Sequence, residues 1–369
     1  TKNISKKFDK TALMDQVRFY GNVEVGREIS LSDLREMYDA VVLAQGAPVD
    51  RTLNIPGADK PGVFGAAAFV GWYNAHPDFR NLNPNLDVQA AAVIGVGNVA
   101  IDVARLLSRS DKGLAVTDLP DYAETAMSRS PIKDVYLFGR RGPLDAKFTN
   151  VELREFGELS QCVPQVKTDQ LPDGVGDLEG REKRLKERNL ETLRQFSERQ
   201  PDEKPNRVHF EFFASPSEIL GTDKVEGIRL ERTRVEGGRA IGTGEFFDVA
   251  CGLVVSAIGY RGIPLEGAPF DERSGIIPND DGRIEDGLYA AGWIKRGPSG
   301  VISTNRPDGV TAAGHIHNEY ASGAIGGKPG REALEPFLRE RNIRFVSYSD
   351  WKTIEAAEIN NADAGRPRK

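Results

Sequence analysis

Residues 91–107 read AAVIGVGNVAIDVARLL, an apolar run that ends in Gly95-x-Gly97-x-x-Ala100 and passes directly into a helical pattern. A buried strand feeding a tight glycine turn into a helix is the dinucleotide-binding arrangement. Gly95 permits the sharp turn, Gly97 lets backbone approach a pyrophosphate, and Ala100 keeps the helix close to the strand, so free N–H groups at the helix tip meet the anion. The pattern alone also fits a plain β-turn-α unit. Residues 136–143, YLFGRRGP, narrow the reading. Folds of this kind place an acidic residue near the end of the next strand to hold a ribose 2′-hydroxyl. Here Arg140 and Arg141 stand at such a position, and two guanidiniums suit a 2′-phosphate, which points to NADP rather than NAD.

A chain of 369 residues is long enough for two domains with separate cores, and its 39 glycines suit many strand-to-helix turns. The formal charge of −6 argues against general nucleic-acid binding. The two cysteines, Cys162 and Cys251, form no Cys-x-x-Cys pair, so any electron-carrying group must be a bound cofactor. His76, His209, His315 and His317 show no metal-ligand spacing, and the expected metal content is none. No apolar run reaches the ~18 residues of a membrane span. The first residue is Thr1, and we expect chain upstream of it.

Taken in order, residues 17–25 (VRFYGNVEV) read as a strand, 26–30 as a turn, and 31–38 as a helix capped by Ser30 or Ser32. Residues 40–45 (AVVLAQ) read as a buried strand closed by Gly46. Phe69, Trp72 and Tyr73 read as core or crossover packing more readily than as a ring-stacking site, 108–130 as a polar, turn-prone insertion, and 151–159 as a helix. The spacing predicts a charged amphipathic helix over 177–200, with Leu178, Leu185, Leu193 and Phe196 on one side. Arg181, Arg184 and Arg188 line another side, either a solvated face or a docking patch for an acidic protein. Residues 207–249 read as an antiparallel β-ribbon, 253–258 as a buried strand, and 282–293 as a short strand closed by Gly292. A tight loop at 295–300 precedes a helix over 301–320; 332–341 reads as a surface helix and the GRPRK ending as a tail.

Several stretches converge on one resemblance: FYGNVEVG at 19–26, AFVGWYN at 68–74, GVGNVAIDVAR at 95–105, GRRGP at 139–143, ELRE at 152–155, CGLV at 251–254 and GWIKRGPSGVI at 292–302. The chain resembles the adrenodoxin-reductase-like branch of the ferredoxin–NADP reductases, and does so nearly end to end. Related disulfide reductases carry Asp where Trp293 stands.

The resemblance implies an α/β fold of two Rossmann-like, glutathione-reductase-type nucleotide-binding domains. An FAD domain (1–48 and 258–369) would be interrupted by an NADP domain (49–257). It implies that Val96, Gly97, Asn98 and Val99 wrap the NADP pyrophosphate, that Arg140 and Arg141 clamp the 2′-phosphate, and that Glu152 bonds near the nucleotide. Val23 would touch the adenine end of FAD, Trp293 would lie beside the flavin, and the backbone of Gly300, Val301 and Ile302 would face its pyrimidine edge. Gly300 would also border the nicotinamide, and Glu155 would belong to a water-linked proton path. A helix beginning near Val301 would present its positive end to the reduced ring. Family members open with a first Gly-x-Gly-x-x-Gly unit for FAD, which no residue before Phe19 supplies, so the FAD domain is expected to lack its first βα unit.

The implied activity is electron transfer between NADPH and a small acidic ferredoxin or adrenodoxin-like iron–sulfur protein through FAD. Arg181, Arg184 and Arg188 are candidates for the docking surface. No nucleic-acid partner and no membrane span are expected. The expected location is cytoplasmic, or the mitochondrial matrix in a eukaryote. Two other readings stay open: an electron-input subunit of a glutamate-synthase-like complex, which two isolated cysteines disfavour, and a non-catalytic NADP-binding protein.

Overall fold

A computed structural model describes residues 5–109, 111–300 and 302–362. The chain forms two compact units: 50–259, and a second assembled from the segments on either side, up to 49 and from 260 onward.

The 50–259 unit is built on a six-stranded parallel sheet. Its order is Val63–Gly65, Leu253–Ser256, Ala90–Ile94, Asp134–Gly139, Asn206–Phe212 and Cys162–Val166. A parallel sheet must be covered on both faces, and its strands therefore read as continuous apolar runs. Successive side chains alternate faces. Ala92, Ile94, Phe138 and Val254 pack against Ala214, Ile219, Val225, Ile228 and Leu230 of an antiparallel ribbon made by Ala214–Leu220, Gly227–Glu236 and Arg239–Ala250. The alternation leaves Ala91 and Val93, both fully buried, for the opposite face. Helices Asn98–Leu107, Asn150–Glu158 and Gly180–Ser197 pack along the sheet. Phe69 and Trp72, on helix Ala66–Tyr73, are buried against each other as core.

The second unit carries a small sheet in which Val41–Leu43 lies parallel to Leu288–Ala290, with Arg283–Glu285 antiparallel beyond it. Its core joins Leu31, Leu43, Ile277, Leu288, Ala290 and Ile294. A second cluster sets Ile29, Leu334 and Leu338 against Tyr20, Val23 and Phe345. Ser30 starts helix Leu31–Met37 with a capping box: its hydroxyl accepts from the Asp33 N–H at 3.0 Å, and the Asp33 carboxylate accepts from the Ser30 N–H at 3.0 Å.

Several elements differ from their sequence reading. Residues 17–25 form no strand; Asn22 is left-handed (φ 58°), and only isolated bridges at Gly21 and Val25 remain. Residues 206–212 belong to the central parallel sheet and not to the ribbon, because burial on both faces removes the alternation expected of a ribbon strand. The 108–130 insertion holds two short helices, Asp111–Leu114 and Asp121–Ser128. The long charged helix spans Gly180–Ser197. Leu178 lies outside it and Leu185 is exposed; the buried face is Asn189, Leu190, Thr192, Leu193 and Phe196. The helix expected from 301 begins at Asn305, behind a 3₁₀ turn at Ile302–Thr304. Trp351 sits in an unanticipated helix, Tyr348–Asn360, and the GRPRK ending lies outside the described residues.

Phe210 is 1% exposed, with its ring edge-on to Phe156 at 5.4 Å and near Phe148 and Phe196. Phe210→Ala is expected to cost about 3–5 kcal/mol, read as a lowered midpoint in urea unfolding.

Candidate nucleotide and redox site

Gly95 ends strand Ala90–Ile94 with φ +133°, and a Cβ there would stand 2.4 Å from the Ala257 carbonyl oxygen. Its N–H donates to the Phe138 carbonyl at 2.9 Å. No other residue fits this turn without moving backbone. Gly97 is the N-cap of helix Asn98–Leu107, has extended backbone, and supplies no side-chain cap. The first helical bond runs from Ile101 N–H to Gly97 O, so the N–H groups of Asn98, Val99 and Ala100 have no helical acceptor. The Asn98 side chain is turned away, its Oδ1 accepting from the Thr149 N–H at 2.8 Å. Around Gly97 a Cβ would meet nothing within 4 Å. The helix tip is thus uncapped, open and positive, the condition an anionic phosphate satisfies.

Arg140 and Arg141 follow strand Asp134–Gly139 on the same carboxyl edge of the sheet. Arg140 is exposed, and its guanidinium has no partner among the described residues. Arg141 is engaged, with Asp145 at 2.9 Å and the Gly238 carbonyl at 3.2 Å. Glu152 and Glu155 lie on helix Asn150–Glu158. Glu152 Oε2 is buried with no hydrogen-bond partner among the described residues. Glu155 is ion-paired with Arg105, which also holds Asp102 at 2.7 Å. Burial raises the Asp102 pKa more than Arg105 lowers it, and Glu152 and Glu155 add to the rise.

A cleft of about 660 Å³ lies on the same edge, lined by Asp50, Asn54, Phe64, Gly65 and Ser256 among others. Ser256 Oγ is buried there without a partner. The Asp50 carboxylate accepts the Ala67 N–H at the start of helix Ala66–Tyr73, and a Cβ on Gly65 would collide with it. Sequence reasoning missed both residues, since neither belongs to a motif.

In the second unit, Trp293 is half-buried, stacks on Tyr260 at 6.0 Å, and donates its indole N–H to the Ser299 carbonyl at 3.2 Å. Gly297 (φ +86°) and Gly300 (φ +82°) bend the loop between them. Arg296 fastens this loop, donating to Asp308 at 2.8 Å, Asn305 at 2.5 Å and the Ser299 carbonyl at 2.5 Å. Lys295 bridges Asp281 at 2.8 Å and Asp308 at 3.3 Å. Nothing in the spacing of Arg296 and Asp308 marked them for this role. The N–H groups of Gly300 and Ile302 have no partner among the described residues, which suits the polar edge of a bound ring. Val301 lies outside the described residues. Val23 is partly buried against the Ile29–Leu334 cluster.

Arg181, Arg184 and Arg188 are exposed on helix Gly180–Ser197. Both cysteines are buried, and burial pushes each thiol up to about 12, so neither is a thiolate near neutral pH. His315 bonds the Asp281 carbonyl at 3.2 Å, and no metal-holding group of acidic, His and Cys residues occurs among the described residues.

The fold and this glycine turn define a two-unit α/β protein of the nucleotide-binding class. The chain is 39% identical over 395 residues to the mitochondrial NADPH:adrenodoxin oxidoreductase of Bos taurus, covering 100% of this chain and 79% of that protein. It is 41% identical over 382 residues to the NADPH-ferredoxin reductase FprA of Mycobacterium tuberculosis, covering 100% and 84%. A solved structure of Mycobacterium tuberculosis FprA in complex with NADPH superposes with a TM-score of 0.92 at 42% identity, again over 100% of this chain and 84% of the other. No family model matches the chain. On these relatives, the chain belongs to the adrenodoxin-reductase-like family of ferredoxin–NADP reductases.

Burial pushes the Asp308 carboxyl up, but hydrogen bonds from Arg296 and Lys295 outweigh it and hold its pKa below the usual value. The stability this adds is fully present above the unfolded pKa of about 3.9 and is lost as pH falls through the depressed folded value. Asp308→Asn should therefore lower the thermal midpoint at pH 7, by an amount that shrinks progressively as pH falls below about 3.9.

Proposed function

We propose that this chain is a flavoprotein reductase that exchanges electrons between NADPH and an iron–sulfur ferredoxin. The observation that carries this is the uncapped tip of helix Asn98–Leu107 at an open Gly97, with an unpaired Arg140 on the same sheet edge. FAD, when bound, supplies the conversion between a two-electron hydride donor and a one-electron carrier. The work of the chain is then to bind and orient.

The backbone of Val96, Gly97, Asn98 and Val99 wraps the pyrophosphate. Arg140 takes the 2′-phosphate, joined by Arg141 once it exchanges Asp145 for the ligand. The unpartnered Glu152 Oε2 accepts a hydrogen bond near the nucleotide. On the flavin side the residues are Trp293, Gly300, Val301 and Ile302, with Val23 toward the adenine end. Glu155, tied to Arg105, is assigned to a proton path through water.

Absorbance of the purified chain tests the reading. A yellow protein that NADPH bleaches supports it; a colourless one that binds 2′-phosphorylated nucleotides is a non-catalytic binding protein instead. Arg140→Ala with Arg141→Ala is expected to weaken NADPH binding by about 2–4 kcal/mol while leaving NADH nearly unchanged. A surviving preference for NADPH in titrations overturns the nucleotide assignment.

The electron partner is an acidic iron–sulfur protein docking on Arg181, Arg184 and Arg188, whose side chains are solvent-facing. Arg184→Glu with Arg188→Glu should raise the KM for ferredoxin in cytochrome reduction at low salt, with the difference shrinking as salt is added. An unchanged KM rejects this surface. No helix among the described residues is long and apolar enough to cross a membrane.

A further inference from the structure

We propose that Lys147 is a pyrophosphate-contacting residue of the dinucleotide site, an inference that rests on the nucleotide reading above. The segment that follows the arginine pair returns under the glycine turn and is pinned there. The Lys147 N–H donates to the Val96 carbonyl at 2.9 Å, and the Thr149 N–H donates to Asn98 Oδ1 at 2.8 Å. Lys186 Nζ holds the same segment from the other side, donating to the Ala146 carbonyl at 2.8 Å. Ala146 and Phe148 are buried at 1% and 4% exposure, so the chain between them turns the Lys147 side chain outward, where it is exposed. Its backbone is therefore bonded directly to the residue that separates Gly95 from Gly97.

The charges around it are uneven. Arg141 and Lys186 share this stretch of surface with Lys147, against Asp145, already committed to Arg141, and Glu182. The Lys147 ammonium makes no hydrogen bond or ion pair among the described residues. Burial lowers the proton affinity of Lys186, and repulsion from Lys147 lowers it further. The partnerless Lys147 ammonium and the positive end of the uncapped helix leave charge uncompensated in the free protein, and an anion shared between tip and ammonium would neutralise both. The bond to Val96 assigns Lys147 to the pyrophosphate, whereas Arg140 and Arg141 belong to the 2′-phosphate.

The two assignments differ in what they discriminate. A pyrophosphate contact serves NADP⁺ and NAD⁺ equally; a 2′-phosphate contact serves NADP⁺ alone. Titration calorimetry of the full chain with NADP⁺, NAD⁺ and 2′-AMP separates them. Lys147→Gln should weaken NADP⁺ and NAD⁺ by the same factor, about tenfold at low salt, leave their ratio as in the wild type, and change 2′-AMP little. Lys147→Arg should restore most of the loss, and because the side chain is exposed both variants should keep the wild-type thermal midpoint. Unaltered affinity for both dinucleotides in Lys147→Gln overturns the inference alone, as does a loss confined to 2′-phosphorylated ligands. If the wild-type chain binds neither NADP⁺ nor NAD⁺, the nucleotide reading fails and this inference with it.

Discussion

The contact between Gly95 and the Ala257 carbonyl is the constraint on which the 50–259 unit depends. Two parallel strands, Ala90–Ile94 and Leu253–Ser256, run side by side and end together. The first must then turn without a side chain, because any Cβ would enter the backbone of the second. That turn sets the exit direction of the chain and leaves the next helix with three free N–H groups over the sheet edge. Gly139, whose Cβ would press on Val96 at 3.1 Å, lets the adjoining strand lie close beneath the same turn. The open, uncapped helix tip here follows from packing.

The second unit solves a different problem, holding a glycine-bent loop still. Arg296 is a planar fork whose donors reach Asp308, Asn305 and the Ser299 carbonyl at once, and Lys295 adds a second cation to Asp308. A buried ion pair of this kind adds little net stability over an apolar pair, since desolvation offsets most of the Coulomb gain. Its contribution is geometric, because each donor direction is specified. Trp293 is tied to the same loop through Ser299, so the indole and the loop backbone are positioned together.

Much of this was legible in the amino-acid sequence, for a physical reason in each case. The 91–94 strand and the turn after it were readable because full burial enforces unbroken apolar residues and the turn admits only glycine. Arg140 and Arg141 were readable because their chemistry is unusual where an acid is expected. The Ser30 cap was readable because capping is local. By contrast, 207–212 read as ribbon and 17–25 as strand, since short segments carry the same residue types in either setting. Leu185 was assigned to a buried stripe that the tertiary packing rotated away.

Sequence alone determined the glycine turn between strand and helix, the charge that follows it, and the family, because these depend on residues adjacent in the chain. Only the tertiary structure decided that Asn98 bonds Thr149, that Arg296 grips Asp308, that Glu152 and Ser256 keep buried oxygens without partners, and that Lys147 lies under Val96. Those relations join side chains and backbone that meet only after packing. A hydrogen bond selects its partner by distance and direction, neither of which the order of residues records.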